Sequence, residues 1–121
     1  MRIISFSMTT PQFIDGSKTV TRRFGWWNLK PGDKLAVVEK AMGLRKGEKM
    51  KRLGVIEIIS TRHEPLNAME RPVNYGREEL RLEGYPFGIT DPSEFVRVLA
   101  QKSKVPESQI VNRIEFKKVS A

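Results

Sequence analysis

Short apolar runs separated by polar turns divide the chain into short strands and helices. Arg2 to Met8 carries Ile3, Ile4 and Phe6 and reads as a first strand. Thr10-Pro11 then marks a helix start, because a threonine side chain accepts from an orphan amide and proline suits the first helical position. Phe13 and Ile14 are its core-facing residues, and Gly16 closes it in a left-handed cap. Asn28 to Asp33 contains Pro31-Gly32, the pair a type II turn asks for. Lys34 to Ala41 follows as a strand, with Leu35 to Val38 apolar on both faces. Leu53 to Ile59 is a second long strand rich in β-branched residues, and Gly43 to Lys49 between the two reads as a hairpin tip.

The second half is less regular. Glu64 to Tyr75 has two prolines and little periodicity, which predicts an irregular connection. Gly76 to Leu82 is a short helix ending at Gly84. Asp91-Pro92-Ser93-Glu94 is a capping box with proline at the first helical position, opening a helix to about Ser103. Phe95, Val98 and Leu99 have the spacing of its buried stripe. Ile110 to Val119 alternates apolar and polar residues as a closing strand. The order of strand, helix, strands, helices and strand predicts an α+β fold: a small mixed or antiparallel β-barrel with short helices packed on it. At 121 residues, the chain reads as a single domain over 1–121.

Composition narrows the function classes. There is no cysteine, so disulfides, thiol nucleophiles and thiolate zinc sites are excluded. No apolar run is long enough to span a bilayer, and Met1 to Phe6 is too short and too β-like for a signal peptide. The expectation is a cytoplasmic protein without a membrane partner; the oligomeric state is left open. Lys and Arg number 22 against 14 Asp and Glu, a net charge of +8. Such an excess attracts polyanions, nucleic acid first among them, because each neutralised phosphate releases counterions.

The densest chemistry lies in Gly16-Ser17-Lys18-Thr19-Val20-Thr21-Arg22-Arg23. Gly16 lets backbone approach a ligand closely. Arg22 and Arg23 grip phosphate or carboxylate with forked donors. Lys18 is a phosphate anchor or, with a depressed pKa, a base; Thr21 is a nucleophile only if something takes its proton. Elsewhere, adjacent Trp26 and Trp27 cannot share one face of a strand, so one packs inward and Trp27 is the stacking candidate. Tyr85, Pro86 and Phe87 offer an apolar wall for a base. Arg45, Lys46 and Lys49 make a basic hairpin that can track a phosphate backbone. Lys102, Lys104, Lys117 and Lys118 add to a basic face if the fold brings them together. His63 is the sole histidine, too few for a metal site.

The eight-residue segment resembles the signature of the ASCH domain family, whose fold is PUA-like. The family pattern is Gly, one residue, then Lys-Thr-x-Thr-x-Arg. Lys30-Pro31-Gly32-Asp33, Glu83-Gly84, the helix from Asp91 to Lys102 and Val111 to Phe116 resemble its later elements in order, so the likeness runs over nearly the whole chain. The resemblance implies a small β-barrel with a cleft between barrel and helices, and an association with RNA. Some bacterial members remove the acyl group from N4-acetylcytidine, and others are described as ribonucleases. The Lys, Thr and Glu used by the amidohydrolase members fall on Lys18, Thr21 and Glu83, with Glu78 and Glu79 as rivals for the carboxylate. The motif arginine falls on Arg23.

The expectation is a module that binds RNA or a modified nucleotide or nucleoside in the motif cleft, Gly16, Ser17, Arg22, Arg23, Trp27, Arg45, Lys46 and Lys49 serving contact. The alternative is a hydrolase, amidohydrolase or ribonuclease, in which Thr21 attacks, Lys18 takes its proton and Glu83 orients or protonates. A weaker third option is a protein-interaction adaptor. No cofactor or metal is called for. Two conditions follow for the hydrolase. Arg22 and Arg23 lower the Lys18 pKa while Glu83 raises it, so burial must decide. Lys18 and Thr21 are three apart and on a regular strand would face opposite ways, so the chain must bend between Gly16 and Thr21.

Overall fold

The computed structural model describes residues 1–41, 43–85 and 91–120. The elements are β1 (Ile3–Ser5), α1 (Thr10–Asp15), β2 (Val20–Arg23), β3 (Lys34–Val38), β4 (Arg52–Pro65), a 3-10 helix (Leu66–Glu70), α2 (Val73–Glu83), α3 (Pro92–Ser103) and β5 (Ile110–Ser120). The five strands form one mixed sheet in the order β1-β3-β4-β5-β2. Only the β1–β3 pairing is parallel; the other three are antiparallel.

The sheet curls into a half-barrel. Two register shifts in the β4–β5 ladder, at Val55/Ile56 and Ile58/Ser60, add the local twist that curling needs. The outer strands β1 and β2 thereby come close enough for the Arg23 Nη2 on β2 to donate to the Ser5 carbonyl on β1 at 2.7 Å. Inside the curl, Phe6, Phe13 and Phe116 meet as an aromatic cluster, with the Phe6 ring 5.4 Å from each of the other two. A second core under the helices joins Leu66, Met69, Leu80, Phe95, Val96 and Val111. β5 serves both cores, placing Val111 in one and Ile114 and Phe116 in the other, as strand alternation requires.

The expected elements are present, with boundaries that tertiary contacts move. β1 stops at Ser5, where the Thr9 amide bonds to the Phe6 carbonyl and turns the chain. The cap of α1 is Thr9, not Thr10, and the Thr10 hydroxyl donates back to the Phe6 carbonyl at 2.7 Å. β3 ends at Val38, three residues early. The supposed connection from Glu64 is partly strand, since β4 pairs with β5 as far as Pro65↔Ile110. On α3 the residues driven fully inside are Phe95, Val96 and Ala100, while Val98 and Leu99 are half-buried. Its cap is as expected, the Asp91 carboxylate accepting from the Ser93 amide at 3.1 Å.

α2 begins at Val73 and takes Gly76 into its first turns, although glycine costs about 1 kcal/mol in a helix interior. The reason is space. A Cβ on Gly76 would sit 1.8 Å from the Met69 carbonyl oxygen and 2.7 Å from the Pro92 Cβ. Gly76 is therefore where the 3-10 helix, α2 and α3 touch backbone to ring. Gly76→Ala is expected to destabilise the fold by about 2–3 kcal/mol, because neither neighbour is a flexible side chain. A urea denaturation midpoint unchanged from wild type would contradict this.

Candidate functional site

The chain does bend where the site requires it. Gly16 takes a left-handed conformation (φ 86°), and its amide bonds to the Phe13 carbonyl, ending α1. The Lys18 amide reaches back to the Gln12 carbonyl at 3.1 Å, and the Thr19 amide bonds to Leu82 on α2 at 2.8 Å. Regular strand begins only at Val20. Lys18 thus lies on a turn and Thr21 on a strand, and both line one cavity of about 790 Å³. The cavity opens between the β1–α1 turn, β2 and α3. Phe6, Phe24, Tyr85 and Phe95 give it aromatic walls, and Lys102 and Ser103 lie on its α3 side.

Glu83 ends α2 and is 3% exposed. The next residue, Gly84, turns the chain away with φ 82°. A Cβ there would meet Gln12 Cβ at 2.8 Å and Lys18 Cβ at 3.1 Å, so Gly84 lets the helix end seat directly on the Lys18 turn. The close approach expected of Gly16 belongs to Gly84 instead; around Gly16 there is open space.

Lys18 is 4% exposed. Its Nζ donates to the Val20 carbonyl at 3.0 Å, the Glu83 carbonyl at 2.8 Å and Glu83 Oε1 at 3.2 Å. All three ammonium protons therefore have acceptors. Burial pushes the Lys18 amine below the ordinary lysine value, against the pull of the Glu83 charge and hydrogen bond, with Arg23 and Arg22 adding to the lowering. Thr21 is 3% exposed, and its Oγ1 accepts from Arg23 Nε at 3.0 Å. No Lys18–Thr21 hydrogen bond is made among the described residues.

The two motif arginines part company. The Arg22 side chain is fully buried and lies among three carboxylates: Glu79 at 2.7 Å, Glu83 at 3.3 Å and Glu64 at 3.5 Å. Arg113 takes Glu79 with two hydrogen bonds, at 2.7 and 3.0 Å, and Arg62 and Tyr75 hold Glu64. Arg22 is thus a structural cation, raised above its ordinary pKa by Glu83, Glu79 and Glu64 despite its burial. Arg23 is half-buried and reaches the cavity, stacked over Phe6 at 5.4 Å. Burial lowers its pKa, yet a guanidinium keeps its charge.

The carboxylate at Lys18 is settled by this arrangement as Glu83. Glu79 is consumed by Arg113 and Arg22, and Glu78 pairs with Arg81 on the exposed side of α2. Several expected contact residues lie elsewhere. Gly16 and Ser17 do not line the cavity. Trp27 is 47% exposed and stands edge-on to His63 at 5.0 Å, away from the cavity, while Trp26 packs on the sheet core. Arg45, Lys46 and Lys49 are exposed on the β3–β4 loop and line no part of it. Of the proposed apolar wall, Tyr85 is in place; Pro86 and Phe87 lie outside the described residues. Buried Glu64 and Arg113 and half-buried Tyr75 went unseen, and Glu79 was read only as a rival for the site carboxylate, because nothing in their local pattern marks burial. Among the described residues no group of three His, Cys, Asp or Glu is placed to hold a metal, and no helix is long and apolar enough to cross a membrane.

No family model and no curated protein matches the sequence. Solved structures do match. An ASCH domain from Lactobacillus crispatus JV V101 superposes with a TM-score of 0.63 at 15% identity, covering 99% of this chain and 80% of that one. The fold is ASCH-like. A DUF984 protein from Enterococcus faecalis V583 shares it with a TM-score of 0.62 at 12% identity, covering 98% of this chain and 80% of that one. In this ASCH-like fold the motif loop meets the end of α2, and the cavity forms where they join.

Glu79 and Glu64 are held below the ordinary glutamate value of 4.5: burial pushes both up and is outweighed, by Arg113 and Arg22 for Glu79, and by Arg62, Tyr75 and Arg22 for Glu64. Groups depressed in the fold contribute stability that is present above the unfolded pKa and lost as pH falls through the folded one. The melting temperature should therefore drop on acidification below pH 4.5. Glu79→Gln should cost about 3 kcal/mol at neutral pH, leaving two buried guanidinium groups short of a charge, and should flatten the acid slope. A melting temperature that is flat in acid for wild type would refute the assignment.

Proposed function

We propose that the chain binds RNA or a modified nucleotide or nucleoside in the cavity floored by Lys18, Thr21 and Arg23. The observation carrying this reading is the composition of that cavity. Aromatic rings from Phe6, Phe24, Tyr85 and Phe95 share it with Arg23 and Lys102, and Glu83, its only acidic lining residue among those described, is already held by Lys18 and Arg22. A flat ring finds stacking surface there, and an attached phosphate finds a guanidinium. About 790 Å³ lies within the size range of small-ligand sites. The net charge of +8 supplies the long-range attraction a polyanion would feel.

A second reading is favoured by one observation, the depressed pKa of Lys18 beside Glu83 in the cavity that also receives Thr21. In a hydrolase acting on N4-acetylcytidine, the neutral Lys18 amine takes the Thr21 hydroxyl proton as Thr21 Oγ bonds to the acyl carbon. The C–N bond breaks, cytidine leaves with a proton on N4, and water releases acetate from the Thr21 ester. Binding ranks first because Lys18 Nζ is committed to three protein oxygens and Thr21 is bonded to Arg23, so base and nucleophile are not paired.

Incubation with N4-acetylcytidine and with single-stranded RNA, comparing wild type with Lys18→Ala, separates the two. Binding alone predicts affinity for RNA that falls steeply with salt and no release of cytidine. The hydrolase predicts cytidine and acetate, loss of turnover in Lys18→Ala, and a rate that rises with pH as Lys18 deprotonates below the ordinary lysine value of 10.5. Turnover unchanged in Lys18→Ala removes the Lys18–Thr21–Glu83 chemistry. No binding and no turnover with either ligand removes the cavity reading altogether.

A further inference from the structure

The charges of the cavity and of the ion network behind it do not balance. Lys18, Arg22, Arg62 and Arg113 are ion-paired to Glu64, Glu79 and Glu83, four cations against three carboxylates. Arg23 and Lys102 come on top of these. Arg23 uses Nε on Thr21 Oγ1 at 3.0 Å and Nη2 on the Ser5 carbonyl at 2.7 Å. Both acceptors are neutral. Two of its five N–H groups are thus used, and among the described residues no carboxylate lies within 4 Å of it. Residues outside the description, Met42, Pro86 to Thr90 and Ala121, contain no acidic side chain. On the α3 side of the same cavity, the one hydrogen bond Lys102 makes among the described residues is to the Met8 sulfur, at 3.3 Å.

Glu83 acts on Arg23 through space without a hydrogen bond to it among the described residues. A half-buried guanidinium with no carboxylate directly on it is costly, and the usual remedy is a paired anion. Arg23 is also pre-set for one: Thr21, Ser5 and the Phe6 ring fix it on three sides, so little side-chain freedom is lost when its remaining edge is filled. The fork of an arginine matches two oxygens of a phosphate, and the Ser7 and Thr9 positions line the cavity nearby.

We infer that the cavity is an anion subsite as well as a ring site: Arg23, supported by Lys102, takes the phosphomonoester of a single nucleotide whose base lies against the aromatic walls. This rests on the ring-binding reading and adds the charge of the ligand to it. The charge of Arg22, the neighbouring arginine, is already met by three carboxylates, although its buried Nε has no partner among the described residues.

Titration calorimetry of wild type with the four common nucleosides, their 5′-monophosphates, inorganic phosphate and a single-stranded RNA with a 5′-hydroxyl tests the subsite. At least one monophosphate should bind about tenfold or more tightly than its nucleoside, and added salt should narrow the gap. Arg23→Gln should bring the ratio of the two dissociation constants to about one. Arg23 also ties β1 to β2, so Lys102→Gln, on an exposed side chain, provides a second readout and should reduce the ratio part-way. Equal affinity of wild type for nucleoside and monophosphate overturns the anion subsite while leaving the ring site standing. RNA binding without mononucleotide binding overturns it likewise. Binding of none of these ligands overturns both. Phosphate as tight as every monophosphate upholds the anion subsite and removes the ring.

Discussion

The contact on which the rest of the structure leans is the sharing of Glu83 by Lys18 and Arg22. One carboxylate, at the last residue of α2, meets two cations from the turn and strand that follow α1, at 3.2 and 3.3 Å. All three side chains are almost wholly inside. Burying such charges costs several kcal/mol each before any attraction is counted, so the arrangement holds only because each group has further partners. Lys18 has two backbone carbonyls, Arg22 has Glu79 and Glu64, and those glutamates have Arg113, Arg62 and Tyr75. The chain of contacts runs from α2 through β2 to β5 and β4, fastening the helical layer to the half-barrel by charge alongside the apolar cluster that joins the helices to Val111.

Neighbouring residues of the same type acquire opposite roles through strand alternation. Arg22 and Arg23 differ by one position, so their side chains leave β2 on opposite faces. One face meets the acidic interior of α2; the other meets Phe6, Thr21 and the cavity. Three carboxylates make Arg22 part of the scaffold, whereas Arg23 has none in direct contact among the described residues and keeps N–H groups open to the cavity. The same contrast separates Glu79 from Glu83, one turn apart on α2. Glu79 is enclosed by two guanidinium groups, whereas Glu83 reaches the cavity with Lys18 beside it.

Two glycines show how backbone contact, as well as charge, sets the layout. Gly76 and Gly84 stand at the start and just beyond the end of α2, each at a place where a Cβ would collide with a neighbour. Between them they decide how deeply the helix seats on the 3-10 helix, on α3 and on the Lys18 turn. The position of the Glu83 carboxylate follows from that seating.

Much was legible in the chain itself. Local chemistry is enough to place Gly16 as a helix cap, Pro31-Gly32 as a turn and Asp91-Pro92 as a helix start, since each depends on groups within a few residues. The density of Lys, Thr and Arg in Gly16–Arg23 is likewise a local property, and Lys18, Thr21, Arg22 and Arg23 from it line the cavity. The pairing of β4 with β5 out to Pro65, the start of α2 at Val73 and the choice of Glu83 over Glu78 and Glu79 were settled only in three dimensions. Each depends on a partner dozens of residues away, and single-residue pattern carries no information about which partner arrives. The same holds for charge. Residue order alone shows a cationic segment carrying Lys18, Thr21 and two arginines together. Which of those cations is neutralised from within and which stands open follows from the folded arrangement, because a charge's partner is set by the fold around it and not by its neighbours along the chain.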